Sequence, residues 1–426
     1  MGSRILLIED DPVFRELTAA TLEQAGYAVE LAADGETGLE LARRESFDAI
    51  VVDLMMPRMH GFEVIQRLRG HYQTFRTPLL VYSAKIYESD QRKVIALGAD
   101  GFLQKPVSAD SLQAALDEAL QCVKVTFWGV RGSVAAPGPE TVRYGGNTPC
   151  VTVDYGGRTL ILDAGTGIRK LGLVLQAEAR EEPIDLDLLI THTHWDHIQG
   201  FPYFVPAYHP RNTVRVHGPR SLSKPLDKVL RGQMDPEYFP VALGDMAANI
   251  IVQDVRDEVI DLGVFKVRHT FMNHPGVTLG YRIEVGGAAI AYATDTEVFT
   301  RLLQHTLEDK NQAEGMGRRM DDDLANLVKG ADLYIGDAQY TPEEYKGKVG
   351  WGHSSCEDAV RLAVYAGAKR FALFSHDPMQ DDDAVDIKVQ QCRDLVVELD
   401  GTTEVFGAYE GQTVTIQDSA LKSSSE

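Results

Sequence analysis

Thr191-His192-Thr193-His194-Trp195-Asp196-His197 follows directly on the apolar run Leu186-Asp187-Leu188-Leu189-Ile190. A short buried strand that ends in a loop crowded with imidazoles and a carboxylate is what a metal site needs. Packing alone seldom places three histidines and an aspartate so close together, because each would need its own polar partner in the interior. In an extended segment His192 and His194, two residues apart, point the same way and can share one cation. Asp196 and His197 turn toward a second position as a helix begins, so two cations are expected.

The HxHxDH pattern after an apolar strand resembles the metallo-β-lactamase superfamily of dinuclear hydrolases, whose αββα sandwich it implies for this part of the chain. Three further residues share the address of the motif at or just past the end of an apolar strand. His274 follows Phe265–Phe271 in the turn Asn273-His274-Pro275-Gly276, Asp295 follows Ala289–Thr294, and His376 follows Phe371–Ser375. The resemblance implies that His192, His194 and His274 hold one metal, that Asp196, His197 and His376 hold the other, and that Asp295 bridges them. An aspartate bridge with no cysteine ligand is similar to the phosphodiesterase and nuclease branches of that superfamily. Zn²⁺ suits the imidazoles and Mn²⁺ or Fe²⁺ the carboxylates, so the metal is left open. Asp163, at another strand end, reads as a carboxylate behind the ligands or a turn former, and His269 as a core histidine.

Trp351-Gly352-His353-Ser354-Ser355 precedes a helical pattern and is similar to the His-Ser-Thr motif of tRNA 3′-processing endonucleases and related cyclic-phosphate diesterases. The resemblance makes His353 the proton donor to the leaving oxygen, with Asp337 as its orienting group and Asp196 as the second catalytic residue. A serine of the same stretch caps the helix in either reading. Arg131 and Asn147, in glycine-rich loops, are weak candidates for substrate contact, since tight turns would need the same glycines. The stretch from about Gly218 to Ile250 has the character of a lid or an oligomer contact.

Upstream, residues from about 4 to 121 alternate continuous apolar runs (Ile5–Ile8, Ala49–Val52, Leu79–Tyr82) with amphipathic helical patterns. Continuous runs are expected of parallel strands covered on both faces, which makes this a doubly wound, flavodoxin-like α/β domain. Polar residues gather past the strand ends: Glu9 and Asp10, Asp53, Ser83, and Lys105-Pro106. Three carboxylates at one place need a cation, and a hard Mg²⁺ is the economical one. This constellation closely resembles the receiver domain of two-component response regulators. The resemblance implies that Asp53 is the phosphoacceptor and that Glu9, Asp10, Asp53 and the Met55 carbonyl bind Mg²⁺. It further assigns Ser83 and Phe102 as the switch residues and Lys105 as the phosphoryl contact, and it implies a sensor histidine kinase as partner.

The chain of 426 residues thus divides into 1–121, a receiver, and 122–426, a metallo-β-lactamase-fold hydrolase, with no Gly/Pro-rich linker between them. No stretch of about 18 apolar residues and no leader pattern is evident, so a cytoplasmic protein without a membrane span is expected. Four scattered cysteines form neither a disulfide framework nor a CxxC site. A net charge of −21 disfavours a long nucleic-acid track but leaves room for a small anion in a metal-lined pocket. The reading is a response regulator with a metal-dependent phosphodiesterase output that acts on a cyclic mono- or dinucleotide, with a receiver-mediated homodimer in view. Two alternatives stand beside it, a tRNA-processing-like ribonuclease and a non-catalytic binding module switched by phosphorylation.

Overall fold

The computed structural model describes residues 3–71, 73–84, 87–179, 182–306 and 310–417. The serine-rich tail from Ser423 to Glu426, expected to fray, lies outside them. The described residues form two compact units, one running up to Cys122 and including Leu173–Glu182, the other made of Val123–Gly172 and the described chain from Pro183 onward. No helix among the described residues is long and apolar enough to cross a membrane.

The first unit is built on a five-stranded sheet in the order Ala28–Ala32, Arg4–Ile8, Ala49–Val52, Leu79–Ser83, Gly101–Gln104, every pair parallel. Its continuous apolar runs are explained by the two-residue period of a strand. Leu6, Ile8, Ile50 and Val52 enter one apolar cluster, while Ile5, Leu7, Ala49 and Val51 enter another on the opposite face. The helix Pro12–Gln24 begins with proline at its first position, and Asp11 caps it by accepting from the amides of Val13 and Phe14. The last helix, Ala109–Gln121, is followed after one residue by the strand Val123–Gly129.

The second unit holds two seven-stranded sheets. One runs Asn249–Asp254, Thr213–Gly218, Asp185–Leu189, Arg158–Leu162, Cys150–Tyr155, Val123–Gly129, Thr413–Ile416; the other runs Val259–Leu262, Phe265–Phe271, Leu279–Val285, Ala288–Ala293, Leu333–Asp337, Arg370–Phe374, Glu404–Gly407. Side chains from both, among them Phe127, Val151, Leu189, Tyr281, Tyr292 and Phe374, form the core between the sheets. Truncating one of these aromatics, Phe374→Ala for example, would cost about 3–5 kcal/mol. A further cluster lies between the second sheet and its helices, with Val328, Val360, Ala363 and Cys392 facing Tyr334, Phe371 and Leu373. This is the αββα sandwich expected from the resemblance.

Two bonds tie the second sheet to the end of the motif strand. The Tyr281 hydroxyl donates to the Ile190 carbonyl at 2.7 Å, and the Leu279 amide donates to the Thr191 carbonyl at 2.9 Å. They hold the HxHxDH loop against the strand Leu279–Val285. His269 departs from the expected core position. It is half-buried on Phe265–Phe271, bonds the Asp257 carbonyl at 2.8 Å, and has Phe271 exposed beside it, because the apolar alternation that buries Phe265 and Val267 lapses at the strand's end.

Candidate metal centre

The strand Asp185–Leu189 delivers Thr191 and His192 into the interior, and the one-turn helix Trp195–Ile198 starts at once. His192 Nε2 and His274 Nε2 each lie 3.0 Å from His194 Nδ1. His274 Nδ1 donates to the Gly352 carbonyl at 2.8 Å, which fixes its tautomer and leaves Nε2 as a lone pair facing His194. Gly352 has φ +83°, and a Cβ there would stand 2.5 Å from His274 Nδ1, so this position requires glycine. Burial, with the neighbouring His197, holds His192 well below the usual imidazole pKa, and burial beside His274 lowers that of His194. Three imidazoles whose nitrogens converge this closely crowd one another unless a cation sits between them, and the donor set fits a divalent ion.

His197 joins the cluster through His192 and Asp295, the three ligand atoms lying within 4.8 Å of one another. Its Nδ1 meets Asp163 Oδ2 at 2.8 Å, while Nε2 is buried without a hydrogen-bond partner, 3.4 Å from Asp196 Oδ2 and 3.3 Å from Asp295 Oδ2. Asp163 also accepts from the Thr191 amide and hydroxyl and from the Tyr292 hydroxyl, so it orients a ligand and fastens the motif to its strand. Asp295 Oδ2 lies 3.6 Å from His192 Nε2 and 3.8 Å from His274 Nε2, within reach of both halves of the cluster. Asp163 and Asp295 follow the strands Arg158–Leu162 and Ala288–Ala293 with left-handed φ of +61° and +51°, a conformation that aspartate tolerates better than most residues and that occurs at functional turns. Burial opposes the His197 cation, but Asp295, Asp196 and Asp163 outweigh it and raise its pKa well above the usual value.

His353 enters the cluster. Its ligand atom and those of His274 and Asp295 lie within 4.8 Å of one another, and His353 Nδ1 is 2.7 Å from Asp337 Oδ2. Burial disfavours its charged form, but Asp337 first, then Asp295 and Asp196, raise its pKa to about 9. Ser355, not His353, caps the following helix Cys356–Tyr365, by accepting from the Asp358 amide. Ser133, Thr193, His194, Trp195, Asp196, His274, Asp295 and His353 line a cleft of about 500 Å³. Trp195 is 79% exposed, an arrangement that costs apolar hydration unless something covers the indole. The start of the Gly218–Ile250 stretch borders the cleft, with Pro219, Ser221, Leu222 and Ser223 beside His192 and His194, while Tyr238 is exposed and Phe239 packs on Tyr203.

Three expected residues are elsewhere. His376 is fully buried, but its Nε2 donates to the Ala408 carbonyl at 2.9 Å and its ring sits edge-on to Tyr144. Its charged neighbours are Lys388 and Arg131, its Nδ1 is buried without a hydrogen-bond partner, and among the described residues it joins none of the groups of converging donor atoms. Arg131 donates to the carbonyls of Gly145, Asp377 and Gln380 and pairs with Asp382, so it is a buried brace rather than a substrate contact. Asn147 is bound to Glu410 and Thr166, which likewise removes it from the substrate-binding candidates. Sequence reasoning missed Glu297, a buried carboxylate that accepts from the Tyr345 hydroxyl and the amides of Gly350 and Gly352, holding the loop that carries His353. Its only signal was its position two residues past Asp295.

In the first unit Glu9, Asp10 and Asp53 offer oxygens within 4.8 Å of one another. Lys105 bonds Glu9 and lies 3.5 Å from Asp53 Oδ1. Burial raises the Glu9 pKa, against the opposing pull of Lys105. Asp53 Oδ1 and Ser83 Oγ are buried without hydrogen-bond partners, and the Met55 amide donates to Asp53 Oδ2 at 3.2 Å. An oxygen-rich pocket with an orphaned carboxylate oxygen fits a hard cation. Phe102 is half-buried on the last strand against the apolar core.

The chain thus sets a doubly wound α/β unit with a carboxylate pocket before a two-sheet sandwich with a cluster of histidines. Residues 5–117 match the response regulator receiver domain family and residues 158–314 match the beta-lactamase superfamily domain. The chain therefore joins a response regulator receiver domain to a metallo-beta-lactamase-fold domain. It is 38% identical over 122 residues to the transcriptional activator protein PfeR of Pseudomonas aeruginosa, covering 29% of this chain and 39% of that protein. It is 40% identical over 111 residues to the DNA-binding dual master transcriptional regulator RpaA of Synechocystis sp., covering 26% and 46%. The response regulator MprA of Mycobacterium tuberculosis is 38% identical over 124 residues, covering 29% and 53%. The chain spans about half the length of these curated relatives, or less. Among solved structures, the metallo-beta-lactamase fold protein YhfI from Bacillus subtilis is 17% identical with a TM-score of 0.48, covering 70% of this chain and all of that one. The Vibrio cholerae chemotaxis protein CheY4 is 34% identical with a TM-score of 0.28, covering 28% of this chain and all of its own.

Proposed function

We propose that the second unit is a metal-dependent phosphodiesterase acting on a cyclic mono- or dinucleotide, controlled by phosphorylation of Asp53 by a cognate histidine kinase. The observation that carries the reading is His353, held by Asp337 at 2.7 Å beside the cluster of His274 and Asp295 and facing the same cleft. His192, His194 and His274 would hold one ion, Asp196 and His197 would reach a second, and Asp295 lies within reach of both. Divalent ions, when bound, supply Lewis-acid charge to the phosphoryl oxygens and lower the pKa of an attacking water. The protein's own contribution is positional and acid–base. Asp163 keeps His197 Nε2 turned inward, the Gly352 carbonyl does the same for His274, and His353, kept protonated by Asp337, delivers a proton to the leaving oxygen. As the P–O bond breaks, that proton lets the leaving oxygen depart as a neutral alcohol instead of an alkoxide.

The test is a panel of 2′,3′- and 3′,5′-cyclic nucleotides, cyclic dinucleotides and a structured precursor RNA, with bis(p-nitrophenyl) phosphate as a generic diester. Turnover of a cyclic substrate that chelation abolishes is expected. Cleavage of the RNA alone would replace the reading with a ribonuclease, and silence on every diester would favour a binding module.

A further inference from the structure

We infer that Cys356 and Cys392 form a redox-active thiol pair, which a hydroperoxide closes to a disulfide behind the loop that carries His353.

The two cysteines are 36 positions apart and meet where two helices pack. Cys356 is the first residue of the helix Cys356–Tyr365, next to its cap Ser355, and Cys392 lies in the helix Asp382–Glu398. Both are free and buried. Cys392 Sγ lies 3.8 Å from the Cys356 carbonyl oxygen and its thiol hydrogen-bonds that of Cys356, so the sulfurs are neighbours before any bond forms.

Lys388, one turn before Cys392 on the same helix, supplies a second observation. It is fully buried and donates to the carbonyls of Ala338 and Gln339 and to Gln380 Oε1, at 2.7, 3.2 and 2.8 Å. Three acceptors use all the N–H groups of an ammonium, so the side chain is a cation, yet each of these acceptors is neutral. A buried cation needs an opposite charge close by. Burial lowers the Lys388 pKa, and Cys356 comes first among the charges that oppose it. At Cys356 the hydrogen bond from Cys392, with Lys388 and the Glu357 amide, outweighs burial and lowers the thiol pKa, while Cys392, as donor, is raised. One thiol is thus prepared as nucleophile and its neighbour as the thiol that resolves the product. Cys150 is the contrast, a buried thiol that burial and then Asp163 push well above the usual value.

The Cys356 thiolate attacks one oxygen of the hydroperoxide. An S–O bond forms, the O–O bond breaks, and the departing oxygen takes a solvent proton and leaves as water or an alcohol. The Cys392 sulfur then attacks the sulfenic sulfur, the S–S bond forms, and the hydroxyl leaves as water with the Cys392 proton. Two electrons pass from the thiols to the peroxide. Because both thiols are buried, the oxidant must be close to water in size, which selects hydrogen peroxide.

The pair stands directly behind the Asp337–His353 contact. Lys388 holds the two carbonyls that follow Asp337, the Cys356 amide donates to the Tyr340 carbonyl at 2.8 Å, and the Tyr340 amide donates to the Ser354 carbonyl at 3.3 Å. Disulfide closure removes the charge that most favours the Lys388 ammonium and pulls on the start of the helix, so both segments loosen.

The experiment treats the reduced, desalted full chain with hydrogen peroxide, alkylates it after denaturation and maps the cysteines by mass spectrometry. A Cys356–Cys392 cross-linked peptide that dithiothreitol reverses is expected, with Cys122 and Cys150 recovered as free thiols. Hydrogen exchange should be faster in the oxidised protein for the amides of Gln339, Ser354 and Cys356, which bond Asp337 and Tyr340 in the reduced form. Cys392→Ser should stop at a Cys356 sulfenic acid that dimedone traps. Four free thiols after peroxide, oxidation of Cys122 or Cys150 as readily, or a disulfide that leaves exchange at these amides unchanged would each overturn the inference. The map and the exchange are read on the wild type without a diester substrate, so neither a misfolded variant nor failure of the diesterase reading decides the result.

Discussion

Replacing Asp337 by Asn tests the acid role of His353 with a magnitude that the structure supplies. The amide oxygen can still accept from His353 Nδ1, while the new NH2 faces the Gln339 and Ser354 amides that Asp337 Oδ1 accepts from, and the charge that does most to hold the imidazole protonated is gone. Wild-type His353 is raised from 6.5 to about 9; without Asp337 it should fall back to about 6.5 or lower, since burial still opposes its charge. The sign follows from the role. A donor must be protonated, so activity is present below its pKa and lost as pH rises through it, near 9 in the wild type and near 6.5 in the variant. At pH 8 the protonated fraction would drop from about 0.9 to about 0.03, a loss of roughly 30-fold, and at pH 6 it would drop by less than about 1.5-fold. The assay is kcat against pH on a substrate with an alkoxide leaving group and on a p-nitrophenyl ester, whose leaving group needs no proton. An equal loss at pH 6 and pH 8, or on both substrates, would refute the assignment of His353 as acid.

Asp163→Asn should weaken binding at His197 by about 10–100-fold, read by metal titration, because the charged partner of Nδ1 is lost while Thr191 and Tyr292 keep a hydrogen-bonding group. Glu297→Gln should lower kcat with little change in KM, since the loop of Gly350 and Gly352 loosens away from the substrate's binding groups; a rise in KM alone would contradict this. Trp195→Ala should raise KM for a base-bearing substrate and leave the melting temperature within the range of surface substitutions, about ±0.5 kcal/mol, because the indole is largely exposed. A phosphodonor or beryllofluoride should change diesterase turnover by about 5- to 150-fold, the range of ordinary coupling energies, more in the direction of activation, with mass measurements reporting any dimer. An identical response of Asp53→Ala would separate the receiver from the enzyme.

The parts of this protein written in local sequence were legible without coordinates. Apolar runs such as Ile5–Ile8 and Leu186–Ile190 specify strands because their side chains have nowhere else to go, and HxHxDH gathers its side chains at one place because two residues of extended chain and the first turn of a helix aim imidazoles in known directions. Asp295 and His274 could be placed at strand ends for the same reason. What tertiary structure alone decided was where a strand-end side chain points. His376 has the same address as Asp295, yet the left-handed turn falls one residue earlier, on Ser375, and the imidazole Nε2 donates to the carbonyl of Ala408, just past the neighbouring strand Glu404–Gly407. Arg131, read as a phosphate contact, meets carbonyls that arrive from Asp377 and Gln380, nearly 250 positions later. Glu297 acquires its purpose only because Gly350 and Gly352 fold back onto it. Periodicity fixes which face of an element is buried, but the partner of a buried polar group is set by chain segments that meet only when the sheets pack, and no local pattern encodes that meeting.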